Sequence, residues 1–83
     1  MTKQIQTSKN LKLSAEVAEY ITKNPELVED FGKDLSFVVF PSDDKQLQKA
    51  NVKLANELKK EGKNVVKVHQ TKDKKTPWKF SYL

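Results

Sequence analysis

Residues 35–62, LSFVVFPSDDKQLQKANVKLANELKKEG, decide the fold. The first six are almost continuously apolar, with the β-branched and aromatic side chains that a strand covered on both faces requires. Pro41 ends that strand, because proline has no N–H to give a ladder. Beyond it the period changes: Leu47, Ala50, Leu54, Ala55 and Leu58 fall on one stripe of an amphipathic helix, and Gly62 stops it. Residues 64–69, NVVKVH, follow at once as a second strand. A strand, a helix and a strand at this spacing form a crossover unit whose two strands run parallel. Val65, Lys67 and His69 would share a half-solvated face, so the first strand is expected at the centre of the sheet and the second nearer an edge.

Downstream, residues 71–76 read as a charged turn. In residues 77–83, PWKFSYL, Trp78, Phe80 and Tyr82 alternate with Lys79 and Ser81 at strict period two, predicting a third strand antiparallel to the others. Upstream, Leu13, Val17, Tyr20 and Ile21 recur at helical spacing, with Ser14 placed as a cap. Pro25 opens a second short helix over residues 25–31, closed by Gly32. Residues 1–10, MTKQIQTSKN, carry one apolar side chain besides the initiator and are expected to form a flexible arm, with Ile5 at most in a short edge strand. Residues 11–83 are then a single small domain, since 83 residues leave too little surface for a second core.

Composition removes several functions. There is no cysteine, so disulfides, thiolate metal sites and thiol catalysis are excluded. No apolar leader or membrane-length run is present, and a cytoplasmic protein with no membrane contact is the expectation. All sixteen basic residues are lysine, which weakens a nucleic-acid reading, because arginine is the bidentate reader of guanine and phosphate. The net charge of +5 is unevenly spread. Residues 1–13 hold three lysines and no acid, residues 14–44 eight acids against two lysines, and residues 45–83 eleven lysines against three acids. Such a polarised surface suits steering or self-association, although runs of charge are commonly just solvated.

Ligands of parallel sheets bind beyond the carboxyl ends of the strands, where this chain carries Ser42, Asp43, Asp44 and His69. These four are the catalytic candidates. A serine nucleophile would take His69 as base with a carboxylate to orient it, but the glycines of a nucleophile elbow are missing. Paired aspartates can hold magnesium, yet two adjacent carboxylates define no coordination sphere, and no metal or other cofactor is expected. Helix capping by Ser42 or Asp43, with Asp44 adding charge at the positive end, explains the same residues structurally. Asn51 is the one polar side chain in the helical stripe; it either hydrogen-bonds backbone nearby or faces a ligand. Trp78, Phe80 and Tyr82 with Lys79 would form a base-stacking strand, a core strand, or one that pairs with a second copy.

The segments AEVAEYI, ELVEDF, FVVFPSDD, KANVKLANELKKEGK and VVKV, in that order, resemble a family of small uncharacterised prokaryotic α/β domains. The likeness spans residues 13–68. It implies no activity and transfers no functional residue.

The reading is therefore an α/β domain: a small mixed three-stranded sheet, one strand-helix-strand crossover and an N-terminal helical arm. Its expected function is a non-catalytic protein-binding or regulatory module, with a homodimer or another protein as partner. The alternatives are a lysine-rich nucleic-acid-binding protein using the aromatic strand, and a small hydrolase or magnesium-dependent enzyme at the sheet edge.

Overall fold

Helix α1 (Lys3–Lys23) opens the computed structural model, which describes residues 1–32 and 34–83. Strand β1 (Leu35–Phe40), helix α2 (Lys45–Lys60), strand β2 (Asn64–Gln70) and strand β3 (Trp78–Tyr82) follow. The domain is α/β with a mixed three-stranded sheet, as the sequence indicates.

Helix α1 starts ten residues earlier than its apolar pattern suggests. Thr2 is the cap, accepting a hydrogen bond from the Ile5 N–H at 3.2 Å, and Ser14 lies in mid-helix. Residues 3–10 are therefore helix and not an arm or edge strand. They add few apolar contacts, and their polar side chains hold them to α2, as described below. The expected helix over residues 25–31 is instead two short 3₁₀ turns, Pro25–Leu27 and Glu29–Phe31, joined through Val28. Seven residues offer too few i to i−4 bonds to sustain an α-helix unaided. Gly32 leaves the turns with φ of +83°, which favours glycine.

The strand order is β1-β2-β3, so the expectation of a central β1 is corrected: β2 is central and β1 is an edge. β1 and β2 are parallel, with Phe37 opposite Val66 and Phe40 opposite His69. β3 is antiparallel to β2, with Val68 opposite Phe80 and His69 opposite Lys79. Continuous apolar sequence in β1 reports coverage of its two faces, which says nothing about lateral neighbours. On one face Val39, Val68 and Trp78 bury against Val17, flanked by Leu13, Tyr20 and Ile21 of α1. On the other Val38, Phe40 and Val65 bury against Ala55, with Leu54 and Leu58. The helices bear mainly on β1, and α2 also on β2. Beyond their reach, the α2-side face of β2 and β3 carries Lys67, His69, Lys79 and Ser81, which explains polar residues on a central strand.

Candidate functional site

The turn after β1 and the end of β2 lie side by side, as a parallel crossover dictates. Their side chains nevertheless go separate ways. Asp44 is the cap of α2: its Oδ1 accepts from the Leu47 N–H at 3.0 Å. That corrects the assignment of the cap to Ser42 or Asp43. The other Asp44 oxygen meets Lys9 Nζ at 2.6 Å. The hydrogen bond from Lys9 leads, and with the Leu47 N–H it holds the Asp44 carboxyl below the usual carboxylate range. Ser42 turns to Gln70, whose side-chain oxygen accepts from the Ser42 N–H at 3.0 Å and lies 3.4 Å from its hydroxyl. Asp43 is exposed.

His69 is on the α2 side of β2, while Gln70 faces the α1 side. Its ring stacks on Phe40, with centroids 5.0 Å apart and planes 19° from parallel. Partial burial, followed by the charge of Lys67, holds the imidazole pKa below its ordinary value. The residue that reaches Ser42 is thus Gln70, one position along. A strand turns successive side chains to opposite faces, so a one-residue difference decides which group meets the serine.

Asn51 is fully buried and wholly satisfied. Its amide nitrogen donates to the Val39 carbonyl at 2.7 Å and to Asn10 Oδ1 at 2.8 Å. Its oxygen accepts from Asn10 Nδ2 and Gln6 Nε2, each at 3.0 Å. The amide therefore joins α2, β1 and α1, and its capacity is spent within the fold. Reading the sequence missed Gln6 and Asn10 as the partners of Asn51, Lys9 as that of Asp44 and Gln70 as that of Ser42. A signal was present: the spacing of Leu13 and Val17, continued toward the N-terminus, leads to Gln6 and Asn10 on the same side of the helix.

Among the C-terminal aromatics, Trp78 is buried in the core and Phe80 packs partly against it. Tyr82 is 51% exposed; its ring meets Phe31 edge-on at 4.8 Å, and its hydroxyl donates to the Phe31 carbonyl. Lys79 is exposed on the opposite face. A base-stacking row would need all three rings free, and Trp78 is committed to the core, with Phe80 partly so.

A cleft of about 390 Å³ runs between α2 and the uncovered face of β2, lined by Phe40, Gln48, Val52, Lys67, His69 and Leu83. Among the described residues, no three His, Asp or Glu side chains are placed to hold a metal ion, and no helix is long and apolar enough to cross a membrane.

A model described as "Family of unknown function (DUF5647)" matches residues 5–79, and the chain belongs to that family. No curated protein and no solved structure matches it.

Proposed function

Since that family carries no assigned activity, we propose from the chain's own residues that it is a non-catalytic binding or regulatory module acting through contacts with protein. The observation that supports this reading is the commitment of the candidate groups to structure. Ser42 is held by Gln70, Asp44 by Lys9 and the α2 N-terminus, and His69 is stacked on Phe40. A nucleophile needs a base within hydrogen-bond reach and a third group to orient that base. None of these side chains holds that relation to another. Open surface remains along the cleft beside α2 and the outer side of β3.

Replacing Ser81 by a photo-reactive amino acid tests the reading in cells, with the same replacement at Glu19 as a control on the exposed side of α1. Covalent adducts with protein are expected from position 81 and not from position 19. Equal labelling at both positions, or none at 81, overturns the assignment.

A further inference from the structure

The hydrogen bonds at the ends of β3 reveal what its outer side offers. Thr71 N–H donates to the Pro77 carbonyl at 2.8 Å, and Leu83 N–H donates to the Val65 carbonyl at 3.1 Å. In an antiparallel pair, alternate residues direct both backbone groups to the same neighbour. Residues 77, 79, 81 and 83 therefore face β2, and Trp78, Phe80 and Tyr82 direct their N–H and C=O groups outward. Among the described residues, no strand pairs with them.

We infer that a second copy of the chain docks on this edge, β3 against β3, in antiparallel register with Phe80 opposite its own symmetry mate. The inference rests on the reading of the protein as a protein-binding module and names its partner. In this register Phe80 exchanges both backbone hydrogen bonds with its mate, and Trp78 does so with the mate's Tyr82. All six outward backbone groups of each strand are used. The result is a six-stranded sheet, order β1-β2-β3-β3-β2-β1.

Side chains fit the same register. On the α1 side it brings Phe80 beside Phe80 and Trp78 beside Tyr82, so the half-exposed Tyr82 gains aromatic cover. On the α2 side it sets Lys79 opposite Ser81 of the second copy. Lysine on an edge strand ordinarily discourages pairing, because a partner strand brings its own charge opposite. A two-fold centred one residue earlier would do that, placing Lys79 against Lys79. That register also sets Tyr82 opposite Thr76, outside the strand, so like-charge repulsion and the loss of the Tyr82 backbone bonds both select the register in which the lysines are staggered. A contact between two copies of one patch is isologous and closes on itself, whereas joining the β1 edge to the β3 edge would propagate.

The interface is small, so sedimentation equilibrium of the full chain should be run from about 10 μM to about 1 mM. A monomer–dimer equilibrium is expected within that range, with hydrogen exchange at the Phe80 amide slowing as concentration rises. Ser81→Glu meets Lys79 of the second copy twice and should tighten the dimer, and Ser81→Lys should weaken it, each by about two- to thirty-fold. Position 81 also neighbours the chain's own Lys67, so melting at dilute, monomeric concentration separates any effect on the fold. A monomer throughout overturns the inference. So does a dimer whose Phe80 amide exchanges at a constant rate, or an unchanged dissociation constant in both variants. Protein adducts from position 81 in a chain that stays monomeric would overturn the second copy as partner and leave the binding-module reading standing.

Discussion

At the β1 edge of the sheet both helices bear on the strand, and a buried amide ties its backbone at Val39 to α2 and α1. Along the outer side of β3 no strand pairs among the described residues, and β3 is held by its ladder with β2 and by side chains led by Trp78. The two strands are of similar length and both carry aromatics, so composition does not separate them. What separates them is polar: Gln6 and Asn10, acting through Asn51, reach the Val39 backbone at one edge, and among the described residues no side chain bonds the outward backbone groups of Trp78, Phe80 and Tyr82 at the other. A small domain gains stability where helices cover a strand and keeps a contact surface where they do not.

Removing the anchor of β3 should have the largest effect. Trp78 is 7% exposed and packs with Val17, Val39 and Val68. Trp78→Ala should cost about 3–5 kcal/mol, comparable to the whole stability expected of a domain this small. Urea denaturation checks this. A loss under about 1 kcal/mol would show that β3 is held by its ladder with β2 and not by its indole.

The β1 closure is tested by Asn51→Ala, which leaves the Val39 carbonyl and the Asn10 and Gln6 amides without their partner. A loss of about 2–3 kcal/mol is expected, because buried groups deprived of partners cost more than a hydrogen bond contributes. Hydrogen exchange should show which elements loosen: faster exchange in residues 3–10 is expected, with β3 unchanged. If β3 loosened equally, the two edges would not be independent.

These two sites also mark what the sequence could and could not disclose. The crossover unit, the parallel pairing of β1 with β2 and the antiparallel β3 follow from runs of apolar residues at periods of 2 and 3.6, which report buried faces. Strand order does not follow from them. Lys67 and His69 gave β2 the look of an edge, although it is central and merely extends past the cover of α2. Residues 3–10 were only partly legible, since helical spacing continued from Leu13 and Val17 places Gln6 and Asn10 on the covered side but names no partner. Their contribution is a polar match to Asn51 and Asp44, more than thirty residues away, and no local pattern encodes a partner. Asn51 itself was legible as an anomaly in an apolar stripe. Its meaning needed the helix that covers it.

A smaller effect is expected at the α1 contact with the turn before α2. Asp44 has its pKa lowered from 3.8 by the Lys9 hydrogen bond and the Leu47 N–H. A carboxyl depressed on folding contributes stability that is complete above its unfolded value and lost as pH falls through the folded one. Acid melts should therefore show this contribution disappearing below about pH 4. Asp44→Asn, which keeps a capping oxygen but no charge, should flatten that part of the profile and lower stability less than Asn51→Ala does. An unaltered acid limb would mean that the contact with Lys9 does not persist in solution.

The smallest expected effect belongs to His69, on the central strand between the two edges and opposite Lys79 of β3. Its pKa lies below 6.5, chiefly from partial burial and secondarily from Lys67. The unfolded chain therefore takes up the proton first as pH falls, so stability is complete above 6.5 and declines as pH drops toward the folded value. The two causes predict different responses to mutation. Lys67→Gln removes the charge but leaves the ring on Phe40, so the imidazole should still titrate below 6.5 when followed by NMR. A return to 6.5 in that variant would make the lysine the dominant cause, and the polar face of β2 and β3 would then be governed by its charges more than by its contact with the core.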